Sequence, residues 1–240
     1  MGKGIVVSLY DYTGEAVLPW AKGGYECHCY DIQHEGNYVD HFVGGGSIKY
    51  LKADLHDTAT IQVLVSKYEY SNVVFGMAFP VCTDLAVSGA LRFKLKASKN
   101  PDFQTEAVRH AVMCSDFFVS LCVPFFVENP VSVLASQWRK PDYMFHPCEY
   151  GGYIPEDQAE HPSWPEYIAP MDAYKKKTCL WVGNGFVMPE PKEVDPEAYH
   201  GNGYSTTMMK LGGKSQRTKN IRSATPRGFA IAVYKYNKPN

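Results

Sequence analysis

The sequence lacks any apolar run long enough to cross a bilayer, and it does not open with a charged stretch followed by an apolar one. Its 7 cysteines are scattered and odd in number, which disfavours a disulfide framework. The sequence also offers little that resembles a metal site. Cys27, His28 and Cys29 lie in a predicted strand, where successive side chains point to opposite faces, and no second pair of ligands stands at metal-site spacing. We therefore expect a cytoplasmic protein with reduced thiols, without membrane contact and without a metal site.

The chain of 240 residues also lacks a strong net charge, which is −1, but its charges are unevenly distributed. Residues 144–197 contain 10 acidic and 4 basic side chains, whereas residues 198–240 contain no Asp or Glu and 8 Lys or Arg. Such a basic segment either faces phosphate groups or is an ordinary solvated surface. Aromatic residues make up 14% of the chain, which suits either a core or stacking on bases.

Short apolar strands alternate with helices through the first half of the chain. Asp57 is a predicted helix cap, and Asn100-Pro101 predicts a helix start with proline at the first helical position. The alternation indicates an α/β fold with a mostly parallel sheet covered by helices on both faces. The predicted strands span 4–9, 25–30, 47–51, 72–79 and 123–127, and the residues expected to face inward from the helix after Pro101 are Phe103, Val108, Ala111, Val112 and Val119.

The character of the chain changes twice, which predicts three parts. Residues 1–142 carry the strand-helix units and form a predicted core. Residues 143–203 are rich in Pro, Gly, Tyr and acidic residues and lack periodicity apart from 178–182, which predicts a loop-rich insert or a small lobe. Residues 204–240 form a basic segment followed by an apolar stretch, which we expect to pack back on the sheet as a helix.

The residues that directly follow the predicted strands are the first candidates for a site, because ligands of open α/β sheets bind beyond the carboxyl ends of the strands. All five groups contain an acid, and one of them also contains a cysteine, Cys82. Gly14, Asp31 and Asp54 together fit an adenosine-type cofactor, although each acid alone is equally a plain turn residue. The groups are Asp11-Tyr12-Thr13-Gly14, Asp31, Asp54, Pro80-Val81-Cys82-Thr83-Asp84 and Glu128-Asn129-Pro130.

Cys82 differs from the other cysteines because it follows a strand and a proline and opens a loop. Glu128 ends the neighbouring predicted strand, so the thiol and the carboxyl are expected to face one cleft. A thiol beside a carboxylic acid suits covalent catalysis with acid assistance. The loop after Cys82 is either a phosphate-facing mobile segment or an ordinary solvated loop, and its basic residues are Arg92, Lys94, Lys96 and Lys99.

The order of these segments resembles the DNA cytosine-5 methyltransferase family, in particular its short phage and prophage members. The resemblance covers nearly the whole chain and rests on motifs at the predicted strand ends. Those motifs are Tyr12-Thr13-Gly14, Asp31-Ile32, Ala53-Asp54-Leu55, Pro80-Val81-Cys82 with Ser88-Gly89 downstream, Glu128-Asn129-Pro130 and Gln137-Trp138-Arg139. The segments 146–151, 177–181 and 225–230 look like those of the short phage members.

The resemblance implies a Rossmann-like methyltransferase fold that transfers a methyl group from S-adenosyl-L-methionine (AdoMet) to C5 of a flipped cytosine in DNA. It implies that Cys82 adds to cytosine C6, that Glu128 assists at N3 and that Arg139 helps to hold the base. It also makes 143–203 a candidate target-recognition lobe, and a phage-encoded member would act in the cytoplasm of its bacterial host. The implied cofactor-binding residues are Tyr12, Thr13, Gly14, Asp31, Ile32, Asp54, Leu55 and Pro80, and the implied DNA-binding residues are Ser88, Arg92, Lys94, Asn129, Lys214, Arg217 and Arg222.

Two alternatives remain open at the level of the sequence. The same scaffold could modify a free pyrimidine nucleotide or transfer a modified methyl group, since the chain has little room for a large recognition domain. The chain could also be a non-catalytic DNA-binding module in which Cys82 is structural. The target sequence and the oligomeric state do not follow from the sequence.

Overall fold

One mixed sheet organises the part of the chain that the computed structural model describes, residues 3–212 and 215–239. Its strands are β1 Ile5–Leu9, β2 Glu26–Asp31, β3 Tyr38–His41, β4 Ser47–Lys52, β5 Val73–Ala78, β6 Phe125–Pro130, β7 Tyr143–Phe145 and β8 Thr178–Gly183. They lie in the order β3-β4-β2-β1-β5-β6-β8-β7.

The five central strands β4, β2, β1, β5 and β6 run parallel to one another, and antiparallel strands flank them. On one side β3 pairs antiparallel with β4, and on the other β8 is inserted between β6 and β7 and is antiparallel to both. This order, with an antiparallel strand inserted before the last one, is that of the Rossmann-like methyltransferase fold. The predicted fold class is therefore confirmed.

Helices cover both faces of the sheet, as the strand-helix alternation predicts. The core on one face contains Trp20 and Phe229, which come from the first and last helices. The core on the other face contains Leu64 and Phe118, from two central helices. The helices are α1 Leu18–Lys22, α2 Thr58–Tyr68, α3 Phe93–Ala97, α4 Phe103–Ser120, α5 Leu134–Gln137, α6 Thr206–Lys210, α7 Gln216–Ser223 and α8 Arg227–Asn237.

The segment 143–203 contributes β7 and β8 to the main sheet and otherwise consists of loops and 3-10 turns. A small apolar cluster ties these loops to the basic segment: Tyr174 and Ile168 pack with Met208 of α6 and with Ala224. Helix α8 follows directly and packs against α1, so the apolar stretch after 225 does return to the sheet. The described residues include no helix that is long and apolar enough to cross a membrane.

The structure departs from the sequence-based elements in four places. The short strands β3 and β7 were not predicted, and the predicted connection 80–100 contains 3-10 turns and α3. Helix α4 begins at Phe103, so Pro101 precedes the helix instead of occupying its first position. Val119 is 49% exposed, not buried, because Phe117 and Phe118 form the inward side of the last turn of α4. Asp57 caps α2 as predicted, since its side chain accepts from the backbone N–H of Ala59.

Candidate active site

Strand register brings Cys82 and Glu128 to the same end of the sheet. β5 and β6 are parallel neighbours, with Ala78 paired to Val127. Directly after this pair β5 ends and its chain turns towards Cys82, whereas β6 continues through Glu128 to Pro130, paired there with β8. Neither the alternation of apolar residues nor the strand propensity of the sequence predicts this alignment, because it depends on how the two strands pair.

The turn that holds Cys82 is fastened to the segment after β6. The side-chain amide of Asn129, which is buried, donates to the carbonyl oxygen of Pro80 at 2.9 Å. Farther along, the backbone N–H of Val87 donates to the carbonyl of Val131 at 3.1 Å, and Val133 donates to Leu85 at 3.0 Å. The nucleophile candidate is thus held on a backbone that is tied to its neighbour at several points, which limits its movement relative to Glu128.

A small pocket surrounds the Glu128 carboxyl, and we call it the Glu128 pocket. Its walls are aromatic: Phe145 stacks on Phe229 with ring centroids 4.2 Å apart, and Phe79 adds a third ring. A single ammonium group, that of Lys176, joins the carboxyl inside it and donates to the backbone carbonyl of Arg222 at 2.8 Å. The lining residues are Phe79, Glu128, Phe145, Lys176, Thr178, Ala224, Thr225, Pro226 and Phe229.

The electrostatics of the pocket link three side chains. Burial raises the pKa of the Glu128 carboxyl above its ordinary value, and the Lys176 ammonium partly opposes that rise. Burial also raises the pKa of the Cys82 thiol, and the nearby Glu128 carboxylate raises it further, whereas Lys176 and Arg222 lower it. The pair therefore keeps its protons more readily than free side chains do, and Lys176 stabilises one negative charge wherever it develops in the pair.

The first turn of the sheet is built around a buried carboxylate. Asp11 accepts hydrogen bonds from the Ser8 hydroxyl and from the backbone N–H of Gly14, both at 2.8 Å, and its burial raises its pKa to about 6. Gly14 has a φ of +69°, and an added Cβ would lie 2.8 Å from the Tyr50 hydroxyl oxygen. Only glycine fits this position. The neighbour that excludes a side chain at Gly14 is thus Tyr50.

The other predicted cofactor residues differ in how accessible they are. Asp31 is buried and accepts from the backbone N–H of Gln33 at 2.8 Å, and its burial raises its pKa. Ile32 is 58% exposed. Asp54 is exposed and accepts from the backbone N–H of His56 at 3.0 Å, whereas the side chain of Leu55 is buried in the core between the sheet and α2. Leu55 can therefore offer a ligand only its backbone.

An open cleft of about 530 Å³ lies beside the first turn, and we call it the Tyr12 cleft. Tyr12 stacks on the buried His34, and the side-chain amide of Gln216 on α7 donates to that of Gln33 at 2.7 Å. Clefts of this size commonly hold small ligands. The cleft is lined by Tyr12, Gln33, Trp164, Gln216, Arg217 and Asn220, so it joins one predicted cofactor residue to one predicted DNA-binding residue.

Several other predicted site residues lie away from the Glu128 pocket. The Arg139 guanidinium binds the Asp142 carboxylate at 2.6 Å and the Val182 carbonyl at 3.0 Å, and it does not line the pocket. Arg217 stacks over Tyr167, with 5.5 Å from its guanidinium carbon to the ring centroid. Thr13 accepts from the backbone N–H of Glu15, and Lys214 lies outside the described residues. The exposed residues are Ser88, Arg92, Lys94 and Arg222, of which Arg222 does lie beside the pocket, because its backbone carbonyl accepts from Lys176.

Lys176 is the site residue that sequence reasoning missed. It belongs to a run of three lysines directly before β8, and such a run is usually a solvated surface. The signal that could have found it is position: β8 is antiparallel to β6, so the residues before β8 meet the carboxyl end of β6, where Glu128 lies. This requires knowing that β8 inserts beside β6, which the sequence does not state.

The side chains of the two cysteines and the histidine in β2 alternate between the two faces of the sheet, as predicted. Cys27 and Cys29 lie in the core on one face of the sheet, and His28 faces the other, where it contacts Tyr68 and hydrogen-bonds to Glu26 at 2.6 Å. Within residues 3–212 and 215–239, no group of three or more His, Cys, Asp or Glu side chains has the arrangement of a metal site. The seven cysteines are free thiols, and Cys122 is the exposed one among them.

Comparison with known proteins gives a likeness in structure but none in sequence. No protein-family model matches the chain, and no curated protein matches its sequence. Among solved structures, the chain is similar to a crystal structure described as a "putative DNA modification methyltransferase" encoded within a prophage, from E. coli. The identity is 10% and the TM-score is 0.42, over 88% of this chain and 56% of that one. The chain thus spans little more than half of that protein's length, and a likeness of this degree does not assign an activity.

Proposed function

We propose that the chain is an AdoMet-dependent DNA methyltransferase that acts on C5 of cytosine through a covalent adduct on Cys82. One observation carries the proposal: at the carboxyl end of the parallel strands, the Glu128 carboxyl and the Lys176 ammonium line one pocket, and both groups shift the pKa of the nearby Cys82 thiol. Cytosine C5 is a weak nucleophile, and addition of a thiolate at C6 makes it enamine-like. A carboxyl that keeps its proton suits donation to ring N3 during that addition.

The residues around the first turn fit AdoMet, which when bound supplies an electrophilic methyl group on a sulfonium. Asp31 would accept from the ribose hydroxyls, and Asp54 would accept from the adenine amino group. The Glu15 carboxylate follows the turn directly, and its Oε2 atom is buried without a hydrogen-bond partner within the described residues. An unpaired buried acceptor is costly, and a cofactor ammonium would satisfy it. The Tyr12 cleft beside the turn supplies room and an exposed aromatic ring.

The chemistry begins with the Cys82 thiol, which must lose its proton before it can attack. Its sulfur then forms a bond to cytosine C6, the C5–C6 double bond supplies electrons towards the N3 side of the ring, and N3 takes a proton from Glu128. Lys176 stabilises the negative charge that the pair carries throughout, because it lies near both groups. The aromatic walls exclude water, which strengthens these electrostatic interactions.

The second half of the reaction restores the thiol. AdoMet, held by Asp31 and Asp54, would supply the methyl carbon to C5 as the bond between that carbon and the sulfonium sulfur breaks, which would leave the cofactor as a neutral thioether. The C5 proton would then pass to water or another base. The electrons of that C–H bond re-form the C5–C6 double bond as the sulfur–C6 bond breaks, and the N3 proton returns to Glu128. A cytosine in a duplex must leave the base stack to reach such a site. The exposed cations Arg92, Lys94 and Arg222 are suited to hold phosphates while it does so.

Trapping with DNA that contains 5-fluorocytosine tests the proposal directly, because fluorine at C5 blocks the elimination step. With AdoMet present, the wild-type protein should form an adduct that survives denaturation, and peptide mapping should locate it on Cys82. Cys82→Ala should form none. The matched control is Cys122→Ser, which removes the exposed thiol and should leave the adduct unchanged.

Three outcomes would contradict the proposal. An adduct that persists in Cys82→Ala, or one that maps to another cysteine, would remove the nucleophile from the mechanism. The absence of any adduct with single-stranded or duplex DNA, while the free nucleotide is modified, would favour the nucleotide substrate instead. Binding of DNA without any adduct in the wild type would favour a non-catalytic module.

A further inference from the structure

One short helix, α7, lies between the Tyr12 cleft and the Glu128 pocket. Three of the six side chains that line the cleft belong to this helix of eight residues. The two residues that follow the helix, Ala224 and Thr225, line the pocket. A single element therefore connects the candidate cofactor site to the candidate catalytic site.

The beginning of α7 is tied to the candidate cofactor residues. The side-chain amide of Gln216 donates to the side-chain oxygen of Gln33 at 2.7 Å, and the backbone N–H of Gln33 donates to the Asp31 carboxylate at 2.8 Å. Gln216 also donates to the side-chain oxygen of Asn220 at 2.9 Å, one turn further along the helix. A ligand whose hydroxyls bind Asp31 would thus lie against the residues that hold the start of α7.

The end of α7 holds the Lys176 ammonium, which donates to the backbone carbonyl of Arg222 at 2.8 Å. The last carbonyls of a helix lack partners within it and carry partial negative charge, so an ammonium is favoured there. The charged groups that bear on the Cys82 thiol are Glu128, Lys176 and the Arg222 guanidinium. The position of the last turn of α7 therefore decides where the main cation beside this thiol lies.

Packing anchors α7 only weakly. Of the eight residues of α7, all within the described part of the chain, Ile221 alone is buried, whereas five of the eleven residues of α8 are buried. Most helices in proteins owe their stability to the burial of an apolar face. The polar contacts at the two ends of α7 thus carry much of its placement, and a ligand that adds contacts in the cleft would hold it more firmly.

We propose that α7 is a positioning element that couples the two sites: a ligand in the Tyr12 cleft fixes α7, and the Arg222 carbonyl at its end then holds the Lys176 ammonium beside the Cys82 thiol. The inference rests on the proposed function, which names the ligand as AdoMet or its demethylated product, S-adenosyl-L-homocysteine (AdoHcy). Without a ligand the ammonium is held less firmly, so the thiol gives up its proton less readily. The nucleophile would therefore become most reactive when the methyl donor is in place.

The experiment measures alkylation of the Cys82 peptide by iodoacetamide against pH, in the full chain, with and without saturating AdoHcy. AdoHcy has no methyl sulfonium, so neither methyl transfer nor a sulfonium charge acts on the thiol. In the wild type the midpoint should move to lower pH, so that below the midpoint the rate, relative to its plateau at high pH, rises about fivefold or more. Shielding of the thiol by the ligand would lower the plateau and leave the midpoint in place.

Four variants follow the path from the cleft to the thiol. Gln216→Ala removes the bond to Gln33 and should reduce the rise to less than about twofold, at an AdoHcy concentration that calorimetry shows to be saturating. Lys176→Met should reduce it as much. Arg222→Met keeps the backbone carbonyl and should keep most of the rise. The matched control is Lys219→Ala, an exposed position of α7 outside the cleft lining, which should keep the full rise.

Linkage gives a second readout that does not depend on Gln216→Ala. A ligand that favours the thiolate must bind more tightly, by the same factor, as the pH rises through the Cys82 midpoint. Calorimetry at a series of pH values should show this gain in the wild type and not in Cys82→Ala. Titration of the AdoHcy amino group contributes equally to both proteins and cancels in the comparison.

Distinct results overturn the coupling and the proposed function. AdoHcy that binds the wild type without moving the Cys82 midpoint would overturn the coupling and leave the proposed function standing, as would a full rise in Gln216→Ala. A rise that persists in Lys176→Met would mean that the ligand acts on the thiol by another route, and the coupling would be wrong. A wild-type protein that binds neither AdoHcy nor AdoMet, and that forms no adduct with 5-fluorocytosine DNA, would overturn the proposed function itself.

Discussion

At the scale of single residues, removal of the Lys176 side chain should change the pKa of more than one group in the site. Its ammonium lowers the pKa of both Cys82 and Glu128 in a pocket where burial raises them. Lys176→Met should therefore raise the Cys82 pKa further, so that alkylation of this thiol by iodoacetamide moves to higher pH. The measurement is the alkylation rate of the Cys82 peptide against pH, followed by mass spectrometry.

Two variants show whether charge, and not packing, is responsible. Lys176→Arg keeps the positive charge and should return the pH profile towards that of the wild type. Lys175→Met removes the preceding lysine, which pairs with Glu197 at 3.4 Å and lies outside the pocket. If Lys175→Met shifts the Cys82 profile as much as Lys176→Met does, the assigned role of Lys176 is wrong.

A second residue-scale consequence concerns Asp172, which is fully buried. Its Oδ2 atom accepts from the backbone N–H of Gly228 at 2.9 Å, its Oδ1 atom has no partner within the described residues, and burial raises its pKa from 3.8 to about 6. The folded state thus binds this proton more tightly than the unfolded chain does. The resulting stabilisation is complete below about pH 4 and is lost as the pH rises through about 6.

Asp172→Asn should remove that pH dependence. Between about pH 4 and pH 7, the free energy of unfolding of the wild type should fall by about 3 kcal/mol relative to the variant. Urea unfolding at a series of pH values measures the difference. The exposed Asp157→Asn in the same loop segment is the control, and a parallel pH course for wild type and Asp172→Asn would refute the assignment.

At the scale of elements, α8 closes the Glu128 pocket, and its seating depends on one glycine. A Cβ added at Gly228 would lie 2.3 Å from the backbone carbonyl oxygen of Tyr150, so α8 would have to shift. Gly228→Ala should lower stability by about 1–3 kcal/mol, although alanine is the better helix former. It should also slow adduct formation, because Phe229 and Pro226 line the pocket.

Chemical denaturation and the trapping rate check both effects of Gly228→Ala. Gly36→Ala is a suitable control, because an added Cβ at Gly36 meets nothing within 4 Å. A Gly228→Ala protein that is as stable as Gly36→Ala, and that traps DNA at the wild-type rate, would mean that α8 is not held by this contact.

The elements also show where sequence reasoning succeeds and where it stops. Local pattern predicted the central strands, the Asp57 cap and the strand-end position of Cys82, because each depends on a few neighbouring residues. It could not predict β3 or β7, which are short and mostly exposed, or the insertion of β8 between β6 and β7. That insertion is a long-range pairing, and it is what brings Lys176 to Glu128 and takes Arg139 away from the pocket.

At the scale of the whole molecule, cofactor binding should appear as added stability. A ligand that binds only the folded state at a hundredfold excess over its Kd raises the free energy of unfolding by about 2.7 kcal/mol. We expect AdoMet to produce this increment in the wild type and a smaller one in Asp31→Ala, because Asp31 is the buried acceptor at the end of β2. Urea titrations with and without AdoMet give the increments.

Asp40→Ala supplies the matched control for this prediction, since Asp40 lies on the exposed edge strand β3 and not at a strand end facing the cleft. Its AdoMet increment should equal that of the wild type. A wild-type protein whose unfolding curve AdoMet does not move would contradict the cofactor assignment, whatever the trapping experiment shows.

The walls of the Glu128 pocket come from distant parts of the chain, so they are synthesised at different times. Phe229 follows Glu128 by 101 residues. At a translation rate of about 5–20 residues per second, Glu128 leaves the ribosome roughly 5–20 s before the ring that covers it. Until α8 has been made, the carboxyl lacks the burial that this ring supplies, so its pKa lies closer to the ordinary value. On the proposed mechanism, a nascent chain would therefore carry the Cys82 thiol for seconds before the acid that assists it is enclosed.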